Sequence, residues 1–190
     1  MDDGATSRAR AAAGAREQHG LATRGQLLGA GISASSAKRD VAAGRLERVH
    51  ARALRFPGAP RTWEQQLCAA VLAGGAGAVA SHRSAARLWS LLDDAPTEIS
   101  VPRGRLPRPN GVAVHRSGDL APPWCTTRAG VPVTNPLRTL VDLGAVVPPH
   151  VVADALELAL VRRLVSIRAL EYLDRQNALV GIGWTVLRHT

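Results

Sequence analysis

Lysine is almost absent from this chain of 190 residues, where a single Lys38 stands against 23 arginines. With abundant Ala and Gly, that imbalance is most simply a coding bias toward GC-rich codons, so the arginine count alone marks no partner and placement must carry the argument. Cysteine is equally scarce. Cys68 and Cys125 are too few and too isolated for a zinc site or a disulfide framework, and Cys68 falls in an apolar helical pattern, where it reads as core. Long apolar runs are missing: the longest, Leu67 to Ala80, is rich in Ala and Gly and falls short of the roughly 20 residues that span a bilayer. Met1 to Gly14 holds no apolar run of signal-peptide length, so cytoplasmic residence and no membrane are expected.

The chemistry of an active site is also hard to find. Gly74 to Gly77 follows a helical pattern and lacks the Lys and spacing of a phosphate loop. His82 with Arg83, and His115 with Arg116, are the recurrent polar pairs of the second half, and Asp142 is a distant acid. Their spacing matches no helix-based ligand motif, and Asp93, Asp94 and Asp119 lie in turns. Structural roles are expected: Ser81 as a helix cap, His82 near a helix start, Arg138 and Asp142 as an i, i+4 pair. No catalytic residues, no metal and no cofactor are assigned.

What is present is charge, unevenly held. The net charge is +9, with ten cations and five acids in residues 1 to 60, nine and six in 61 to 145, and five and four in 146 to 190. From His19 to Phe56 a specific order of elements appears. Thr23 with Gln26 forms a capping box that opens a helix over Arg24 to Leu28, and Gly29 and Gly31 stop it. Ser33 caps a second helix over Ala34 to Ala43, ended by Gly44. Leu46 to Val49 and Ala53 to Phe56 have β character around His50 to Arg52, and an Ala-rich helix over Ser7 to Gln18 precedes the set. That order outlines a winged helix-turn-helix.

Seven cations (Arg24, Lys38, Arg39, Arg45, Arg48, Arg52, Arg55) face two acids (Asp40, Glu47) in this stretch, the footprint of a DNA-binding module. On a helical wheel Ala34, Ala37 and Val41 share one face, leaving Ser35, Ser36 and Arg39 for base edges and Lys38 on the flank for phosphate. Arg24, Arg45, Arg48, His50, Arg52 and Arg55 are expected at phosphates, where they add affinity and register.

Pro57, Gly58 and Pro60 mark a boundary between a module over 1–59 and a second domain over 60–190. Thr62 and Gln65 open a helix to about Ala73. Ser81 opens another carrying Ala85, Leu88, Trp89 and Leu92. The period then changes to two over Glu98 to Val101 and Val112 to His115, as in half-buried strands. Between them a loop supplies Arg103, Arg105 and Arg108, which with Arg116 are four cations without an acid; it reads as an extension of the DNA footprint, a dock for an acidic partner, or a solvated loop. A hairpin over Thr126 to Arg128 and Val131 to Val133 leads to a helix starting at Pro136. Pro149 to Arg163 and Ser166 to Gln176 give 146–190 a helical character. The fold class is α+β: a winged helix-turn-helix followed by a mixed domain of helices and a small sheet.

Five segments, "QHGLATRGQLLGAGIS" (Gln18 to Ser33), "GRLERVHARALRFPGAP" (Gly44 to Pro60), "TWEQQLCAAVLAGG" (Thr62 to Gly75), "ASHRSAARLW" (Ala80 to Trp89) and "GVPVTNPLRTLVDL" (Gly130 to Leu143), resemble the AbiEi-type antitoxin family of type IV toxin-antitoxin systems in its actinobacterial form. The resemblance implies a winged helix that binds operator DNA and represses its own operon, an α/β domain tied to antitoxin activity, and a nucleotidyltransferase-like toxin as functional partner. The chain departs from relatives in two ways. Ala51, Arg52 and Leu54 stand where a Pro-Gly turn and a Tyr are frequent in the wing, and many relatives continue into a nuclease-like domain related to very-short-patch-repair enzymes. The chain is therefore expected to be a short or truncated member, with Val180 to Thr190 and an exposed Trp184 at a cut edge. The alternatives are the recognition half of a nuclease-like protein and a protein-interaction module built on a winged helix.

Overall fold

The computed structural model describes residues 3–172 apart from Leu106. Its first part runs α1 (Asp3–Arg16), β1 (Leu21–Thr23), α2 (Arg24–Gly29), α3 (Ala34–Ala42), β2 (Glu47–Arg48) and β3 (Ala53–Arg55). The strands form an antiparallel sheet in the order β1-β3-β2. Thr23 ends β1 and caps α2: its Oγ1 accepts the Gln26 N–H at 3.2 Å while Gln26 Oε1 accepts the Thr23 N–H at 2.7 Å, the reciprocal box read from sequence. Ser33 Oγ likewise accepts the Ser36 N–H at the start of α3. Gly29 lies inside α2, and the residue that breaks the path is Gly31 at φ +92°, a left-handed conformation strained for any side chain. Ala11, Ala15, Ala22, Leu27, Ala30, Ile32, Ala37, Leu46 and Leu54 form the small core beneath. Alanines on α1 let it approach closely, as an aromatic-poor module requires.

The second part contains α4 (Trp63–Gly74), β4 (Val79–Ala80), α5 (His82–Leu88), β5 (Glu98–Pro102), β6 (Ala113–Ser117), β7 (Cys125–Arg128), β8 (Val131–Thr134), α6 (Pro136–Leu143) and α7 (Pro149–Val161). Five strands form one mixed sheet in the order β6-β5-β4-β8-β7. The β5–β6 and β4–β8 pairs are parallel, and β4–β5 and β7–β8 are antiparallel. The chain is thus α+β.

Two expectations need correction, and one strand was not expected. β5 is not half-buried: Glu98, Ile99, Ser100 and Val101 are all enclosed, because the strand lies inside the sheet and its polar face meets α5 and β6 rather than water. The helix expected to carry Leu92 ends at Leu88, where the Leu91 N–H turns back to the Ala86 carbonyl at 2.7 Å. β4, only two residues long and hidden in an Ala/Gly run, gives no periodic signal. Residues 167–172 are helical; the remainder of the helix expected to Gln176, and the tail with Trp184, lie outside the described residues.

The linker at Pro57 to Pro60 separates the two parts along the chain, but packing continues across it. Leu21 and Ala53 belong to the same core as Leu67, Cys68 and Val71 of α4. Thr62 Oγ1 caps the Gln65 N–H as expected, whereas the Gln65 side chain reaches back to donate to the His19 carbonyl at 2.7 Å and to accept from Arg55 at 3.2 Å. His19 Nε2 lies 2.6 Å from the Ala129 carbonyl oxygen. Next to it Gly130 has φ +72°, and a Cβ there would overlap the Glu17 carbonyl oxygen, so only glycine lets the β7–β8 turn seat against this corner.

Candidate nucleic-acid interface

The outward face of α3 is set by which side chain goes in. Ala37 and Asp40 are buried and Val41 and Ser36 half-buried, leaving Ala34, Ser35, Lys38, Arg39 and Ala42 exposed. The inward face is therefore rotated from the one the apolar pattern predicts. The cause is Asp40: as an acid it counts toward solvent, yet it is 1% exposed, bonded by Arg8 at 3.1 and 3.2 Å and by Arg45 at 2.8 Å. The Arg8 hydrogen bonds, aided by Arg45, outweigh burial and hold the Asp40 carboxyl below its usual range. Two consequences follow for the assigned residues. Lys38 and Arg39 lie on either side of Ser35 on the exposed face, and Ser36 turns partly inward. Ser35 Oγ sits 3.0 Å from the capping Ser33 Oγ. No acid occupies the first turn of α3, so its positive end is not neutralised from within.

The seven cations of the module divide. Arg55 is not on the surface: it is buried beside Gln65 and pairs with Glu47, a structural ion pair that removes it from the phosphate contacts. Its place in a short strand of the expected wing made it look like a wing cation, but β3 is the middle strand and Ala53, Leu54 and Arg55 are all enclosed. Arg45 is exposed yet tied to Asp40 at 2.7 Å. His50 is half-buried, and burial lowers its imidazole pKa. Arg24, Lys38, Arg39, Arg48 and Arg52 are exposed and make no ion pair among the described residues.

The β2–β3 turn does not stand alone. It forms one wall of a cleft of about 970 Å³ whose opposite wall is the loop between β5 and β6. Arg48, His50 and Arg52 line the first wall, Arg105, Arg108 and Asn110 the second, with Ala73 and Gly74 at the end of α4 between them. A Cβ built on Gly75 would lie 2.7 Å from an Arg52 guanidinium nitrogen and 3.1 Å from one of Arg105, so the two guanidiniums converge on one point of the backbone. The loop cations themselves separate. Arg103 lies along Gly118, near 3.6 Å from where a Cβ would be, with its backbone N–H on the Ser117 carbonyl, and does not line the cleft.

The polar pairs of the second part, far apart in sequence, meet. His82 stacks on His115 with ring centroids 3.6 Å apart. Ser81 Oγ lies 2.9 Å from His82 Nδ1 and accepts from Ser100 Oγ at 2.8 Å, so Ser81 does not cap α5 as expected. Glu98 does: its carboxylate accepts the Arg83 backbone N–H at 2.9 Å and the Arg83 guanidinium at 2.6 Å, placing negative charge at the helix start. Burial alone would raise the Glu98 carboxyl, but these bonds hold it below its usual range. Burial, with His115 alongside, pushes the His82 imidazole down to about 4. Arg138 and Asp142 form the expected i, i+4 pair at 2.8 Å, and burial raises the Asp142 carboxyl. Ser81, Ser100 and Glu98 are enclosed; their hydroxyls and carboxylate face partners that tie α5 to β4, β5 and β6.

Among the described residues, no group of three or more His, Cys, Asp or Glu side chains is arranged to hold a metal ion. No described helix is long and apolar enough to cross a membrane. The sequence carried a signal for the cluster only in the polar positions of β5, which alternate as a solvent face would. For the cleft it marked Arg48, His50, Arg52, Arg105 and Arg108 as basic contacts but gave no sign that the two walls, some fifty residues apart, meet. No family model matches the chain, and no curated protein is significantly similar to it.

Proposed function

We propose that this chain is a double-stranded DNA-binding protein whose N-terminal part is a winged helix-turn-helix, with α3 as the recognition helix and the β2–β3 ribbon as the wing. The observation that carries this reading is the exposed α3 face of Ser35, Lys38 and Arg39, which presents two cations while the one acid of the helix, Asp40, is buried. Arginine on such a face can bond a guanine edge with two hydrogen bonds, and serine can take a base or a phosphate. Arg24 at the first position of α2, Arg48 and Arg52 add phosphate contacts. Arg24 supports the same reading from another side, since a cation at a helix start works against the helix dipole and gains nothing for local stability.

In this reading the chain acts in the cytoplasm by binding rather than by catalysing a reaction, and occupies the promoter of its own operon. Its resemblance to AbiEi-type antitoxins extends the proposal: it is the antitoxin and autorepressor of a type IV pair, with a nucleotidyltransferase-like toxin as functional partner. Footprinting on the DNA upstream of its own gene tests the first step. Protection by the wild type, lost in Ser35→Ala/Arg39→Ala at unchanged melting temperature, is the expected result; equal protection by the variant removes α3 from the interface. Growth rescue of cells expressing a neighbouring nucleotidyltransferase-like protein tests the second.

A further inference from the structure

We propose that the cleft between the β2–β3 turn and the β5–β6 loop is a seat for the phosphate backbone of duplex DNA, so that the second part of the chain, through Arg105 and Arg108, grips the same duplex as the wing. This rests on the DNA-binding reading above and adds a site to it. Arg52 and Arg105 bring two guanidiniums to one point over Gly75, and Arg48 and Arg108 lie on the same walls. None of the four is held by a carboxylate among the described residues. Like charges collected without an acid repel one another, and the arrangement is relieved by an anion that several of them share.

The shape of the lining selects among anions. Proteins that hold single-stranded nucleic acid stack bases on aromatic rings, and among the described residues no Phe, Tyr or Trp lines the cleft; its apolar positions are Val49, Ala51, Ala73 and prolines of the loop. A cleft of about 970 Å³ open to solvent fits a run of backbone better than one small anion. Its binding groups are point charges and guanidinium forks, which read phosphate geometry and not sequence. The cleft thus contributes affinity and register, while α3 contributes choice.

The test measures binding of the full chain to a duplex of its own upstream DNA, and to a scrambled duplex, across a series of salt concentrations. Removing a cation from one phosphate flattens the log-log slope by about 0.9. Arg52→Ala/Arg105→Ala/Arg108→Ala is expected to flatten it by about 2.7 on both duplexes, three times that step, while the preference between them survives. Arg103→Ala, outside the cleft, is expected to leave it unchanged. The corresponding triple lysine variant is expected to keep most of the slope, which separates lost charge from lost folding. An unchanged slope in the triple alanine variant, with wild type and Lys38→Ala/Arg39→Ala still differing, overturns the cleft and leaves the α3 reading standing. Failure of the wild type to bind any duplex overturns both. A slope lost only toward a single-stranded oligonucleotide overturns the duplex assignment.

Discussion

The arginines of this chain are put to two opposite uses. Most of those in the second part, outside the β5–β6 loop, are absorbed by the fold, as Arg8, Arg45 and Arg55 are in the first: Arg83 lies on Glu98, Arg138 bonds Asp142 and Ser117, Arg87 covers the Trp63 ring at 4.1 Å, and Arg128 covers Trp89 at 4.5 Å while donating to the Leu88 carbonyl. In the first part Arg24, Arg39, Arg48 and Arg52 point to solvent with no acid to meet them. Composition cannot separate these uses, because the residue is the same. The difference lies in whether an acid, an aromatic face or a carbonyl is available within reach, and that depends on tertiary placement. Asp40, Glu98 and Asp142 are buried beside the arginines that need them, so the unpaired cations that remain are concentrated on α3, the β2–β3 turn and the β5–β6 loop.

The largest effect expected from breaking this division is at Glu98. Arg83→Ala leaves a carboxylate that is 1% exposed with a single backbone N–H and a histidine nearby, and should destabilise the protein by about 3 kcal/mol, read by urea unfolding. A change below about 0.5 kcal/mol would place Arg83 with the surface arginines.

Acid should act through His82. Its folded pKa is about 4 against 6.5 when unfolded, so between those values the unfolded chain binds a proton that the folded chain refuses. Stability contributed by the neutral ring is complete above pH 6.5 and is lost as pH falls toward 4, by about 3 kcal/mol at most. Asp40 and Glu98, with lowered pKa values, lose stability in acid as well, while Asp142, with a raised one, opposes them. The comparison with His82→Asn isolates the histidine, since asparagine tolerates the φ of +51° at that position. The variant's stability profile should be flatter between pH 6.5 and 4, and parallel profiles would contradict the assignment.

Arg55 and Arg48, neighbours on paired strands, sharpen the contrast further. Arg55→Ala should lower stability by about 2 kcal/mol, as its hydrogen bonds to Glu47 and Gln65 are lost, and leave the salt slope of DNA binding unchanged. Arg48→Ala should leave the melting temperature in place, within about 0.5 kcal/mol, and flatten the slope by about 0.9.

Much of this was legible in the sequence where local rules decide the outcome. The Thr23 and Gln26 box, the Ser33 cap, the Arg138 and Asp142 pair and the β7–β8 hairpin follow from residues within a few positions of each other. What was not legible depends on distant partners. The face of α3 was misassigned because a buried Asp40 is readable only with Arg8 and Arg45 beside it. Arg55 looked like a surface cation because strand order decides which of two short strands is covered. The meeting of His82 with His115, and of Arg52 with Arg105, is made by the sheet order β6-β5-β4 and by the seating of α4 against β1 and β3, neither of which leaves a periodic trace.

The central claim is that the exposed α3 face binds duplex DNA, and fluorescence anisotropy with the protein's own upstream duplex tests it most directly, comparing wild type with Lys38→Ala/Arg39→Ala at several salt concentrations. Salt-dependent binding by the wild type, abolished in the variant at an unchanged melting temperature, is the predicted result. Binding by the variant with the affinity and slope of the wild type would contradict it.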